Sequence, residues 1–375
     1  METMRVLYTI IAELGAFVTL SVCSSPGLAS DSLPTPTQPW GKGVNLSQTS
    51  KNESPTNLLP NPPTSVEPPI FAPLNPIDGF PKAFIAIGSK ESSYAITVEK
   101  QHHRLSLLKL WPNHKYEVVK TFRSVTGKNP GNKKSRGDLS TPEGIYFVTG
   151  SLHGYGLPKK YGGLALTLDY PNIYDKEMRK TGSGIWLHST DDPDRLSRPY
   201  DSEGCVVLAQ EDLFELSKYV RPFEVPVVIT QSIHTVQDTK VLSHQNEKAM
   251  EMIEGWRQAW ETSDFDNYSS FYSQKFESLG KDILGWIKHK SQLAKIRKNT
   301  IKVKIDDIQI IAFEDQLLTV FNQSYQSSSK NDLGRKFLYL KWETDRYRII
   351  AEKWYNQESI KSVLRLPKNL VKSQL

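Results

Sequence analysis

Cysteine is almost absent from this 375-residue chain, which carries only Cys23 and Cys205. Two thiols cannot build a disulfide framework or a four-thiolate zinc site, so packing has to hold the fold. A P-loop, zinc-finger spacing and an RNP-type aromatic signature are also missing. The one histidine pair, His102-His103, has no carboxylate or histidine at ligand spacing and reads as a loop pair, so neither a metal nor a cofactor is expected. Charge is not lopsided: 47 Lys and Arg against 41 Asp and Glu leave a net +6. That balance suits any polyanion and selects none. Without a supporting motif, nucleic acid is not an expected partner. Long apolar runs are lacking too. Val6 to Val22 is mostly apolar, but Glu13 interrupts it and it is short for a membrane span.

The same run has the order of an export signal: Arg5, the apolar stretch, then a small-residue exit at Gly27-Leu28-Ala29-Ser30. Residues 1–30 are therefore expected to be a signal peptide or N-terminal anchor, and the chain to work in the periplasm. Cleavage would remove Cys23 and leave Cys205 as the sole thiol of an exported protein, a candidate reactive group. The alternative is that Leu20-Ser21-Val22-Cys23 is a lipid-attachment box, which the bulky Val22 disfavours. Residues 31–80 are rich in Pro, Ser, Thr and Asn, as in Leu33-Pro34-Thr35-Pro36 and Pro60-Asn61-Pro62-Pro63. They offer little to bury and read as an extended linker.

From residue 81 the pattern changes to short apolar runs parted by turn residues. Phe84–Ile87, Tyr94–Val98, Leu105–Trp111, Tyr116–Phe122, Ile145–Val148, Leu164–Leu168, Ile185–Leu187 and Val225–Ile229 read as strands, with turns at 127–131 and 141–144. Residues 81–232 should thus be a mainly β sandwich or barrel with one helix after Cys205, over 212–220. Residues 245–358 differ. Helices are expected over Ala249–Trp260, around Phe271–Phe276 and over Ile283–Ile296. Strands follow at 301–311, 316–325, 336–343 and 347–354, making a separate α+β domain. Trp256, Trp260, Tyr268 and Tyr272 form an aromatic stripe whose commoner use is core packing, with a ligand pocket as the alternative.

The chemistry concentrates in Gly184-Ile185-Trp186-Leu187-His188-Ser189-Thr190 and Ser202-Glu203-Gly204-Cys205-Val206-Val207-Leu208. A cysteine after a glycine can sit where backbone approaches substrate closely, and amides at a following turn or helix start favour a thiolate. His188 ends an apolar strand and has the side chain whose pKa suits activating a thiol. Spacing alone does not decide the matter, because a buried structural cysteine and a satisfied strand histidine would look the same.

The two stretches resemble the active-site signature of the L,D-transpeptidase catalytic domain (YkuD-type) family: a histidine, a gap, then Ser/Thr-His-Gly-Cys. His188, Ser202, Gly204 and Cys205 match. Thr141-Pro142-Glu143-Gly144 is similar to the family's Thr-Pro-x-Gly segment, and Gly162-Gly163-Leu164-Ala165-Leu166 to the strand leading to the site. Glu203 replaces the signature's second histidine, and Val207 stands where Asn or Arg is usual. The resemblance covers about residues 81–231. It implies peptidoglycan stem peptides as partners, Cys205 as nucleophile, His188 as general acid/base and Ser189 as the group orienting it. It also implies Gly204 in the oxyanion hole, with Ser202 fixing the nucleophile loop and Ser202 and Glu203 near substrate; Arg195 and Arg198, between the two motif halves, are candidates for a stem carboxylate, with ordinary surface loop charges as the commoner alternative. The implied reaction is transpeptidation, with carboxypeptidase trimming or an inactive wall-binding module as alternatives. The pattern looks like a proteobacterial branch that includes cell-shape enzymes and ends in a cone-shaped, nuclear-transport-factor-2-like domain, which residues 245–358 would supply. A homodimer and a small ligand or protein at that last domain are allowed for.

Overall fold

The computed structural model describes residues 77–364, apart from 89–91, 155–156 and 298–299. The expected export signal, nearly all of the linker and Cys23 lie outside the described residues.

Strand β1 (Phe84–Ile87) is followed by β2 (Ser93–Glu99), β3 (Arg104–Trp111), β4 (Lys115–Arg123), β5 (Gly144–His153), β6 (Leu164–Leu168), β7 (Trp186–His188), β8 (Val206–Val207) and β9 (Pro226–Thr230). All but β1 form one eight-stranded sheet in the order β8-β7-β6-β5-β9-β2-β3-β4. Pairing is antiparallel except for β9 with β2 and β8 with β7. Helix α1 (Ile173–Glu177) precedes β7, and α2 (Gln210–Ser217) follows β8. In α2, Leu213 and Leu216 point into the core.

The central strands are apolar on both faces, and the period of two sorts their side chains into two cores. Ile96, Val98, Leu105, Leu107, Tyr146, Val148, Val227 and Ile229 join one cluster with Leu187, Val206 and Leu213. Ala95, Leu108, Leu110, Ile145, Phe147 and Val228 join another, which continues into the C-terminal domain. A sheet covered on both sides explains why these strands read as near-continuous apolar runs rather than strict alternations.

The C-terminal part comprises α3 (Lys240–Thr262), α4 (Phe265–Ser270) and α5 (Ile283–Ile296), then β10 (Lys302–Phe313), β11 (Gln316–Gln326), β12 (Asn331–Glu343) and β13 (Arg346–Asn356). The order of helices before an antiparallel sheet is the one expected. One helix is displaced: Asp264 caps α4 by accepting the Asn267 N–H at 3.1 Å, which starts the helix at Phe265; it ends at Ser270, and Phe271–Phe276 is irregular instead. There Tyr272 bridges Ile349 of β13. The aromatic stripe is core: Trp256, Trp260, Tyr268 and Tyr272 are all buried, and Trp256 donates its indole N–H to the Tyr272 hydroxyl at 2.8 Å.

The two parts are less separate than their textures imply. β1, expected in the first domain, pairs with β10 and completes the sheet β13-β12-β11-β10-β1. A short apolar run specifies a strand but not the sheet it joins. Across the junction Phe147 meets Phe337 edge-on at 5.1 Å, and Phe223 stacks on Tyr355 at 4.1 Å. Buried Tyr174 of α1 lies 2.8 Å and 3.1 Å from the Leu317 and Leu340 carbonyls, to which its hydroxyl donates, and accepts the Leu340 N–H at 3.0 Å. The eight-stranded sheet and the C-terminal sheet therefore share one continuous core.

Candidate active site

β7 is the strand that carries the site. Its neighbours are β6, with Ala165 opposite His188, and β8, with Val206 opposite Leu187 and Val207 opposite His188. Leu187 and Val206 anchor both strands in the core. Cys205 immediately precedes β8, so the parallel register sets the thiol alongside the strand that ends in His188. Its sulfur is half-buried and lies 3.4 Å from the Gly184 carbonyl, while the Trp186 N–H points at it.

His188 is 2% exposed. Its Nδ1 sits 2.6 Å from the Ser189 carbonyl oxygen. A carbonyl can only accept, so Nδ1 carries the proton and Nε2 is left with its lone pair. The group of Ser189 that meets the ring is thus its backbone. The Ser189 hydroxyl faces away, within 3.2 Å of the Tyr161 carbonyl and 3.3 Å of both the carbonyl and the N–H of Leu164. That close approach requires Gly162. A Cβ there would stand 2.3 Å from the Ser189 Oγ, and the backbone is left-handed at φ +64. Tyr161 closes the other side, its ring edge-on to the imidazole at 4.8 Å.

Burial sets the ionisation of both groups. It lowers His188 to about 4, against the Ser189 carbonyl, with Arg195 and Lys160 adding repulsion. It raises the Cys205 thiol above its ordinary value, against the Trp186 N–H and the Lys160 charge. The resting pair is neutral thiol and neutral imidazole. The sequence-based expectation of a thiolate favoured by a following helix does not hold. Two strand residues and a turn separate Cys205 from α2, which starts only at Gln210.

The nucleophile loop is braced from within. The Ser202 hydroxyl donates to the Cys205 carbonyl at 2.6 Å and accepts the Gly204 N–H at 3.1 Å. Ser202 is 2% exposed, and its hydroxyl fixes the nucleophile loop from inside. Gly204 likewise has its N–H engaged, which leaves it no donor for an oxyanion. Its need for glycine is conformational, with φ +122 and the Ser140 carbonyl 2.8 Å from where a Cβ would be. Glu203 is exposed at the tip. Arg198 is also exposed and is paired with Asp201 at 2.9 Å and Asp192 at 3.5 Å, so its charge is met inside the loop. Arg195 is held by the Lys160 and Asp201 carbonyls at 3.2 and 2.9 Å. Val207 is fully buried and bridged to Val125, so its side chain belongs to the core.

Reading the sequence for chemistry missed the layer beneath. The Thr141 hydroxyl accepts the Gly127 N–H at 2.9 Å, and buried Lys100 holds the Thr141 carbonyl at 3.0 Å and Glu143 at 2.9 Å. Lys128 N–H in turn donates to the Ser202 carbonyl at 2.9 Å. Only the Thr-Pro segment signalled this layer; a strand-end lysine such as Lys100 gives no sequence cue of burial.

Comparison with known proteins gives the family. Residues 93–229 match the model of the L,D-transpeptidase catalytic domain, and residues 248–353 match that of the Cds6 C-terminal NTF2-like domain. Among solved structures, Bd1075 from Bdellovibrio bacteriovorus is 33% identical with a TM-score of 0.62, over 74% of this chain and 99% of that one. The helical cell shape determining protein Pgp2 from Campylobacter jejuni is 26% identical with a TM-score of 0.56, over 72% of this chain and 95% of that one. No curated protein matches by sequence. The chain belongs to the L,D-transpeptidase catalytic domain family, in the form that carries a C-terminal NTF2-like domain.

Proposed function

We propose that the protein is a cysteine-dependent L,D-transpeptidase that acts on peptidoglycan stem peptides in the periplasm through a thioester on Cys205. Family membership supports a peptidoglycan-related role. The observation that carries the mechanism is the His188 Nδ1 to Ser189 carbonyl bond at 2.6 Å, which presents Nε2 as a base on the strand flanking the Cys205 loop.

In this reading the Cys205 sulfur attacks the carbonyl before the terminal D-alanine while Nε2 of His188 takes the thiol proton. The amide of Cys205 itself is the oxyanion donor offered by the loop. The imidazolium then protonates the departing D-alanine nitrogen as the C–N bond breaks, leaving a thioester. An amine of a second stem resolves it to a cross-link, and water resolves it to a trimmed peptide. The electrostatics fit a transient ion pair: a buried, neutral imidazole is a weak base at rest and a strong acid once charged, as protonating the leaving amine requires.

Incubation with purified tetrapeptide muropeptides tests the reading. Cross-linked dimers mean transfer, and tripeptide without dimers means trimming. Binding without any product would leave only the wall-binding module. Cys205→Ala should abolish every product.

A further inference from the structure

We infer that Lys160 holds a carboxylate of the bound stem peptide beside His188, with Arg195 as the positioning residue that fixes the turn presenting it. This rests on the stem-peptide reading above and names the residue that recognises the substrate's charged end.

The other cations near the site are already engaged. The signature's cation after the cysteine is absent here, because Val207 is in the core. Arg198 is neutralised by Asp201 and Asp192. Arg195 spends its guanidinium on the Lys160 and Asp201 carbonyls and lies 3.4 Å from the Asp201 carboxylate. Lys160 is different. It is exposed, and among the described residues no carboxylate lies within ion-pair reach of its ammonium. The ammonium rests instead over the Tyr161 ring, 5.1 Å from the centroid, and that ring is edge-on to His188 at 4.8 Å. It therefore stands within about 10 Å of the imidazole, close enough for its charge to be felt. Both Cys205 and His188 register its charge.

The turn is built to stay in place. Residues Lys159–Tyr161 form one helical turn, tied by Arg195 at the Lys160 carbonyl and by the Ser189 hydroxyl at the Tyr161 carbonyl. The Tyr161 face carries the ammonium while its edge meets the ring that does proton transfer. Chemistry then selects the carboxylate. His188 must reach the nitrogen of the departing D-alanine, and that residue's carboxylate is two bonds from the same nitrogen. A cation one aromatic ring beyond His188 suits this terminal carboxylate better than acids nearer the sugar end of the stem.

The test compares a stem tetrapeptide ending in free D-alanine with the same peptide as its terminal amide, using the full chain. The wild type should favour the free acid in kcat/KM by about tenfold, the scale of one charge-assisted contact. Lys160→Gln should bring the acid-to-amide ratio close to one, chiefly through KM for the acid, and Lys160→Arg should restore most of it. A wild-type unfolding temperature and circular dichroism spectrum for Lys160→Gln certify the fold. A wild-type preference retained by Lys160→Gln overturns the assignment. An equal loss on both peptides also overturns it, since Lys160 would then act through its field on the thiol. Cleavage of neither peptide by the wild type removes the stem-peptide reading itself, a different failure from the other two.

Discussion

Ionisation of the nucleophile is the sharpest consequence of the geometry. Burial holds His188 at about 4 and raises the Cys205 thiol. An ordinary thiol with a pKa of about 8.5 is roughly 3% thiolate at pH 7, and a raised one is less. A resting thiolate–imidazolium pair would be almost fully thiolate there. The distance from about 4 to the ordinary thiol range puts the cost of transferring the proton at rest at about 6 kcal/mol or more, since the thiol is raised. Substrate must lower that cost by excluding water and presenting the oxyanion. The assay is alkylation of Cys205 by iodoacetamide against pH, in a chain carrying Cys23→Ser. The rate should rise about 30-fold or more between pH 7 and pH 10, with no shoulder near neutrality. A rate flat from pH 5 to pH 9 would mean a preformed ion pair and would refute the reasoning. The same ionisation places the acid limb of kcat/KM near pH 4 rather than 6.5, because His188 must be neutral to accept the proton.

Three further outcomes follow from named contacts. Gly204→Ala should cost about 1–3 kcal/mol in thermal or urea unfolding and abolish turnover, since the added Cβ meets the Ser140 carbonyl in a left-handed backbone. Ser202→Ala strips two hydrogen bonds from the nucleophile loop; it should cost about 1–3 kcal/mol and lower kcat more than it raises KM. Tyr174→Phe should cost about 2–4 kcal/mol, because the Leu340 N–H and two carbonyls lose their partner at the junction. Calorimetry of the wild type should show a single unfolding transition for both sheets, and separate transitions would contradict a shared core.

Most of the architecture was legible because it rests on local patterns. Short apolar runs bounded by turn residues marked β2 to β6, the four-residue steps of Met252, Trp256 and Trp260 marked α3, and the α5 helix spans the expected residues, Ile283–Ile296. What the sequence hid is long-range. Nothing in Phe84–Ile87 says that it pairs 225 residues away with Gln309 to Ile311. Nothing in Phe147 or Phe223 says that the face they cover belongs to another sheet. At the site, His188, Gly204 and Cys205 stand out through the family signature, since their types and spacing alone leave a structural reading open. The fold then selects the Ser189 carbonyl over its hydroxyl as the partner of His188, and it alone brings the Lys160 turn to the imidazole.

A covalent intermediate on Cys205 is the point at which the mechanism is most exposed. Acid quenching during turnover of a stem tetrapeptide, followed by intact and peptide-level mass spectrometry, reads it directly. The account predicts the mass of the tripeptide acyl group on the Cys205 peptide, lost on treatment with hydroxylamine and absent from Cys205→Ala. Turnover with no adduct in the wild type, or turnover that survives in Cys205→Ala, would contradict it.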